Sequence, residues 1–284
     1  MAVLLHKEKI KTPILGELVS WSIGSFSRDI NSFIDSYKTL DLPDHCIARR
    51  QARSILRKTL KELEKEGHII KVSETENKIS YRIFKEVKRF SDELNEYDLD
   101  LVKADRFTYN KNSRVIDSKT ASSQVLEKLN QLFLFYESKI TGPELSATLI
   151  RVLYSAGSLS LTTRGGIYFI PFSRLEIVDK LETLVKDSGV SFLRLGVIDS
   201  IKYKKELKDL AVKEILGETR EIKKEIKRLE ANPEKAKAYV VKNRVIRLKR
   251  ISEKVTAIQE AGIDVDVEKS IRICRRQLKR LLKT

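Results

Sequence analysis

Residues 47–66 read IARRQARSILRKTLKELEKE and residues 68–83 read HIIKVSETENKISYRI, with Gly67 between them. Apolar residues recur at helical spacing in the first stretch, which predicts a helix that ends at Gly67. These apolar residues are Ile55, Leu56, Leu60 and Leu63. The second stretch holds two short β-branched runs around a polar turn, which is typical of a β-hairpin.

The predicted helix also carries a basic flank beside its apolar stripe. Arg49, Arg53 and Arg57 follow one another at steps of four, with Arg50 and Lys58 further round. At 100° per residue these side chains share the side away from the apolar stripe. Arginine can bond guanine in a bidentate manner, and arginine or lysine can neutralise phosphate. The stretch therefore favours contact with DNA, while contact with protein and an ordinary solvated face stay open.

Upstream, residues 27–37 show another helical pattern, and Pro43 then breaks the chain. Helix, break, basic helix and hairpin follow in the order found in winged-helix proteins, and residues 25–86 resemble that superfamily. There the second helix enters the major groove and the hairpin wing contacts the backbone or minor groove. The resemblance implies groove contacts by Arg49, Arg50, Arg53 and Arg57, and wing contacts by Lys71, Lys78 and Arg82.

The charge of the chain is concentrated at its two ends. The 284 residues carry 56 Lys and Arg against 40 Asp and Glu, a formal net charge of +16. Residues 1–90 hold 18 basic against 12 acidic groups, residues 91–232 hold 23 against 22, and residues 233–284 hold 15 against 6. A nearly neutral centre between cationic ends predicts two modules that contact a polyanion. A charge-rich surface of the thermophile type is the alternative.

The middle of the chain, residues 91–200, predicts a small α+β domain that begins with an acidic, polar linker over 91–100. Residues 158–162 and 167–170 alternate around a glycine turn, which indicates a hairpin with Arg164 at its tip. We expect Arg164 to contact phosphate.

The hairpin sequence Gly165-Gly166-Ile167-Tyr168-Phe169-Ile170-Pro171, followed by helices, resembles an uncharacterised family spread among phage, plasmid and related microbial proteins. The similarity extends from about Gly142 to the C-terminus. That family implies no particular activity.

Three C-terminal helices are expected over 201–231, 234–261 and 267–282, because apolar residues recur there at steps of three and four. This spacing predicts an antiparallel coiled-coil hairpin with a closing helix. The outward faces of the second and third helices are basic, and we expect them to contact phosphates. The candidate residues are Arg244, Arg247, Arg250, Arg272, Arg275, Arg276, Lys279 and Arg280. Pairing with acids of the first helix is an alternative role for them.

Signatures of catalysis are weak. Phosphate-loop, dinucleotide-binding, kinase and serine-hydrolase motifs are missing from the sequence. Asp117 with Glu137-Ser138-Lys139 matches a nuclease spacing, but the latter triplet ends an amphipathic helix where such residues are ordinary. The two cysteines and three histidines are too scattered for a metal site. We therefore expect no enzyme activity, no metal and no cofactor.

Taken together, the sequence predicts a helix-rich α+β protein with a winged helix over 1–90, an α+β domain over 91–200 and a basic helical bundle over 201–284. No run of 18 apolar residues is present, and a cytoplasmic, non-catalytic DNA-binding protein without membrane contact is expected. Duplex DNA is the favoured partner, and single-stranded DNA or RNA stays possible. The sequence is also compatible with an RNA-binding subunit of a ribonucleoprotein or defence complex, and with an assembly protein that oligomerises through the helical hairpin.

Overall fold

The computed structural model describes residues 13–48, 50–64, 68–91, 96–118, 123–162, 166–232, 234 and 237–282. The strands are β1 (Ile14–Ile23), β2 (Ser27–Asp29), β3 (His68–Glu74), β4 (Lys78–Ser91), β5 (Glu96–Asn110), β6 (Ile116–Asp117), β7 (Lys139–Thr141), β8 (Leu159–Ser160), β9 (Ile167–Pro171) and β10 (Val190–Ile198). The α-helices are α1 (Ile30–Thr39), α2 (Ala52–Leu63), α3 (Ser123–Ser138), α4 (Gly142–Ser155), α5 (Leu175–Val185), α6 (Ile201–Ala231), α7 (Ala238–Glu260) and α8 (Glu268–Leu281). The mixed α+β class expected from the sequence is confirmed.

The described residues group into two compact units. Unit 1 lies within residues 1–26, 34–47 and 142–284, and unit 2 lies within residues 27–33 and 48–141. Helix α1 has residues in both ranges. The division into domains over 1–90, 91–200 and 201–284 stays a prediction. The two units group the chain differently, because β1 of the first segment pairs with β9 and β10 of the middle segment.

Unit 1 is built on an antiparallel sheet with the strand order β10-β1-β9-β8. Strand β1 lies inside this sheet, where Leu18 is opposite Phe169 on one side and Leu195 on the other. A Cβ added to Gly16 would lie 2.0 Å from the carbonyl oxygen of Ile170. Glycine at this position therefore permits the close approach of β1 and β9.

Helices α6, α7 and α8 share one hydrophobic core with residues of this sheet, including Phe169. The residues expected inside are buried at nearly every position, because a repeat of three and four places them on one stripe of each helix. The buried set includes Ile215, Ile222, Ile226, Val241, Leu248, Ile251, Val255, Ile258, Ile271, Cys274 and Leu278. Val245 continues the apolar repeat of α7, and burial was therefore expected for it, but its side chain is 39% exposed.

Unit 2 contains an antiparallel sheet with the strand order β3-β4-β5-β6. One face of this sheet packs with α2 and α3 in a single core. Tyr81 of β4 stacks on Phe107 of β5 with ring centroids 5.2 Å apart. The opposite face carries the alternate residues of the strands and holds polar side chains.

Two local expectations for unit 2 are corrected. Helix α2 begins at Ala52 instead of residue 47, because Gln51 has an extended backbone (φ −95°, ψ 138°) and accepts the first helical hydrogen bonds. The expected linker over 91–100 is wrong as well, since β4 runs to Ser91 and β5 begins at Glu96. Their antiparallel pairing satisfies the backbone there in spite of the polar composition.

Within the described ranges, the helices are either too short or too polar to cross a lipid bilayer.

Candidate nucleic-acid interface

Helix α8 carries a basic stripe on the side away from its buried residues. Ile271, Cys274 and Leu278 are buried. Five of its exposed cations lie at steps of three and four within about 140° around the helix. They are Arg272, Arg275, Arg276, Lys279 and Arg280. None of the five forms an ion pair with a described residue; Arg275 donates a hydrogen bond to the Ser252 hydroxyl at 3.2 Å. The stripe therefore remains available to an anionic partner.

Two arginines of α7 are instead paired with acids of α6. Arg244 Nε lies 2.9 Å from Glu225 Oε2. Arg247 bonds Glu221 and also lies 3.4 Å from Glu225 Oε1. The acids of α6 therefore neutralise much of the charge that the sequence placed on the outward face of α7.

The third α7 arginine, Arg250, is half-buried and lines a cavity of about 350 Å³ in unit 1. The other lining residues are Tyr154, Glu218, Arg247 and Lys254. Arg250 has no hydrogen bond or ion pair with the described part of the chain. Its guanidinium is thus less accessible to a large partner than the cations of α8.

Lys254 also lines this cavity and is 3% exposed. Its Nζ donates to Glu214 Oε1 at 2.6 Å and to Glu218 Oε1 at 2.7 Å. Burial raises the pKa of Glu214, and the charge of Lys254 opposes that rise. Burial also raises the pKa of the Tyr154 hydroxyl to about 12. This cluster therefore holds two carboxylates inside unit 1 through a single buried ammonium group.

The cations predicted on the groove-facing helix separate into exposed and anchored groups. Arg53 and Arg57 are exposed on α2. Arg50 precedes the helix, which corrects its placement on the helix face, and donates to the Glu137 carbonyl oxygen at 2.7 Å. Lys58 is half-buried and donates to the Thr141 hydroxyl at 3.3 Å. Arg49 lies outside the described residues.

The hairpin formed by β3 and β4 is held to its neighbours through Glu74. This carboxylate lies 2.9 Å from Lys111 Nζ, 3.0 Å from Lys71 Nζ and 3.5 Å from Arg53. The hydrogen bond from Lys111, followed by that from Lys71, lowers the pKa of Glu74 to about 2. Three cations around one carboxylate leave this corner of unit 2 positively charged.

The remaining wing candidates lie on the polar face of the same sheet. Lys78 is exposed at the start of β4. Arg82 lies four residues further along β4 and directly opposite Arg106 of β5. The Nε of Arg82 is buried and has no hydrogen-bond partner. Arg164, the hairpin-tip candidate, lies outside the described residues.

The candidate metal-ligating and nuclease-like residues are dispersed in the described ranges. No three His, Cys, Asp or Glu residues there could hold a metal ion together. Glu137 is near the end of α3 and lies 3.5 Å from Arg114. Cys46 and Cys274 are both buried, and burial raises the pKa of each thiol.

A protein-family model matches residues 14–284, which is nearly the whole chain. The chain belongs to DUF6744. This is a family of unknown function, so membership assigns no activity. No curated protein and no solved structure matches the chain.

Sequence reasoning missed several features of this DUF6744 protein. It gave no role to Lys254, which resembles an ordinary helical lysine until the fold brings two glutamates to it. It also missed Arg106, whose position opposite Arg82 depends on the register of β4 and β5. The alternation of polar residues along β5 was the available signal for Arg106.

Proposed function

We propose that this protein binds nucleic acid without catalysing a reaction, with duplex DNA as the favoured partner. The observation that carries the proposal is the α8 stripe. Five of its exposed cations, Arg272, Arg275, Arg276, Lys279 and Arg280, make no ion pair in the described part of the chain. Arg244 and Arg247 differ from these cations because they are paired with acids. This contrast supports a role for the α8 cations in binding a partner instead of in internal ion pairs.

The geometry of α8 suits contact with a phosphate backbone. From Arg272 to Arg280 the helix rises about 12 Å, so the cations form a continuous row. Neutralising phosphates releases condensed counterions, which makes the affinity fall as salt is added. Such contacts supply affinity and carry no sequence information.

We propose that unit 2 adds a second contact in the manner of a winged helix. Arg53 and Arg57 of α2 would face a groove, and Lys71, Lys78 and Arg82 of the β3–β4 hairpin would lie near the backbone. The exposure of Arg53 and Arg57 and the cationic corner around Glu74 support this proposal. The helical hairpin expected over 201–284 is part of the same proposal, as the scaffold that presents α8.

Assembly of several copies is a second candidate, because β10 is an edge strand of its sheet. Leu193 and Leu195 of this strand are 52% and 48% exposed. Exposed apolar edge strands tend to pair with a strand of another chain. Sedimentation of the full chain tests this function, and a monomer at all concentrations contradicts it.

The nucleic-acid proposal is tested with a triple variant of α8, R276Q/K279Q/R280Q. Anisotropy titrations with labelled duplex DNA, single-stranded DNA and RNA are run across a salt series. Three lost phosphate contacts reduce the slope of log affinity against log salt by about 2.7 for duplex DNA. Wild-type preference for RNA over duplex DNA would favour the RNA-binding alternative.

A matched control removes the same formal charge elsewhere in unit 1. Lys202, Lys205 and Lys208 are exposed on α6, and K202Q/K205Q/K208Q is expected to keep the wild-type salt slope. The proposal fails if wild-type protein binds none of the three nucleic acids at physiological salt. It also fails if both triple variants lose affinity equally, because the effect is then one of net charge.

A further inference from the structure

The polar face of the unit 2 sheet contains a cavity of about 660 Å³. Strands β4, β5 and β6 and the turn that joins β5 to β6 line it. The lining residues are Lys78, Ser80, Arg106, Thr108, Asn110, Ser113, Val115, Asp117 and Ser118. A volume of this size matches a small-molecule site.

The strand register makes the polar groups converge. Lys78 is opposite Asn110, and Ser80 is opposite Thr108 with their hydroxyl oxygens 3.3 Å apart. Since residues two apart share a face of a strand, Lys78, Ser80 and Arg82 follow one another along the same side of β4. The cavity therefore offers ammonium, guanidinium and hydroxyl donors to one ligand.

Arg82 and Arg106 stand directly opposite each other on this face. Like charges in directly opposed positions destabilise a sheet unless something compensates them. Arg82 has no hydrogen bond or ion pair with the described residues, and its Nε is shielded from solvent. A buried donor without a partner costs free energy, and an anion in the neighbouring cavity would lower the electrostatic cost of the Arg82 charge.

Among the described lining residues the acid is Asp117 of β6, which is opposite Thr108. Positive charges outnumber this carboxylate, because Lys78 and Arg106 line the cavity and Arg82 is next to it. Among the residues that the structure describes, no aromatic side chain lines the cavity, so these residues offer no stacking platform to a base. The recognised group is therefore an anion rich in hydrogen-bond acceptors.

We propose that this cavity binds a phosphate group, with Lys78 and Arg106 of its lining as charged ligands and Ser80 and Thr108 as further donors, and with the positive charge of Arg82 next to the lining. Arginine is suited to phosphate because the planar guanidinium presents several donors at once. The proposal goes beyond polynucleotide binding by α8 and does not require it. A phosphate monoester of a small molecule and a phosphodiester of a nucleic acid share this chemistry.

The test uses the full chain and pyrophosphate as the probe, in isothermal titration calorimetry at constant ionic strength set with chloride. Wild-type protein is expected to bind, and R82Q to bind roughly tenfold more weakly, because a positive charge next to the cavity is lost. R82Q without ligand is expected to melt no earlier than wild type, because the opposed charge is gone. A purely structural role for Arg82 predicts earlier melting instead.

Two further variants keep the test decisive. K78Q changes an exposed lining residue and reduces pyrophosphate affinity even if R82Q does not fold. K61Q removes an exposed charge from α2 in the same unit and is expected to bind as wild type. The proposal is overturned if pyrophosphate does not bind, or if R82Q and K78Q bind it as tightly as K61Q.

Competition identifies the source of the phosphate. An oligothymidylate with a 5′-phosphate and the same strand without it are each added to the pyrophosphate complex. Displacement by the phosphorylated strand alone supports a monoester site, and displacement by both supports a phosphodiester site. The α8 variant R276Q/K279Q/R280Q separates the two proposals, since it is expected to keep pyrophosphate binding while losing affinity for polynucleotide.

Discussion

Replacing Lys254 by methionine removes the cation from the buried cluster that it forms with Glu214 and Glu218. The Nζ of Lys254 lies within 2.7 Å of a carboxylate oxygen on each glutamate. It also lies 5.3 Å from the centre of the Tyr154 ring. Methionine keeps a chain of similar length against that ring, so the change mainly removes charge and hydrogen bonds.

The expected cost follows from the burial of the partners. Removing one member of a buried ion pair costs about 3–5 kcal/mol, because the other charge is left uncompensated. Glu214 and Glu218 have side chains that are 19% and 28% exposed, so water reaches them in part. We therefore expect K254M to lose about 3 kcal/mol of unfolding free energy at pH 7, the lower end of that range.

The loss is expected to depend on pH. Burial already raises the pKa of Glu214, and removing Lys254 removes the charge that opposes this rise. A carboxyl whose pKa is higher in the folded than in the unfolded protein binds its proton more tightly in the folded state. Protonation at low pH therefore stabilises the fold, and this contribution is lost as pH increases. The difference between K254M and wild type should therefore shrink from pH 7 toward pH 5.

Urea unfolding followed by tryptophan fluorescence measures this effect. The chain has one tryptophan, Trp21, which stacks on Tyr168 in unit 1 with ring centroids 5.4 Å apart. The double variant K254M/E214Q removes one carboxylate and should recover most of the loss. Lys249 is 78% exposed and pairs with Glu253 at 3.6 Å, so K249M should cost less than about 1 kcal/mol. A K254M variant within about 1 kcal/mol of wild type, or no recovery in the double variant, would refute the reasoning.

Two further predictions concern a charge and a glycine. The pKa of Glu74 falls from 4.5 to about 2 on folding, so its stabilising effect is present above pH 4.5 and lost as pH falls toward 2. An acid titration followed by circular dichroism should show a smaller loss of structure over this range in E74Q than in wild type; identical profiles would contradict the assignment. Replacing Gly16 by alanine should cost about 3 kcal/mol or more in urea unfolding, because the new Cβ meets the Ile170 carbonyl. Gly24 has no atom within 4 Å of an added Cβ, so G24A is the matched control, and equal losses in both variants would exclude the clash.

Sequence periodicity predicted the helices whose apolar stripe is formed by residues of one continuous segment. Helix α6 matches its expected position, and α7 and α8 differ by a few residues at their starts. Their burial follows from a repeat of three and four within one segment. Strand β1 was not predicted, because its partners lie about 150 and 175 residues away in the sequence. The linker expected over 91–100 is wrong for a similar reason, since pairing of β4 with β5 places Ser91 and residues 96–100 in strands.

The sequence by itself determined the helix-rich α+β class, the basic ends of the chain and the cationic residues of α8. Only the tertiary structure decided which cations remain available. Arg247 and Arg276 are both helical arginines in the sequence, but the former meets Glu221 and Glu225 of α6 and the latter faces no described acid. Composition and periodicity report a residue's own charge and helical face. Which opposite charge stands within about 4 Å depends on how separate segments pack, and that packing sets the difference between an internal ion pair and a surface open to phosphate.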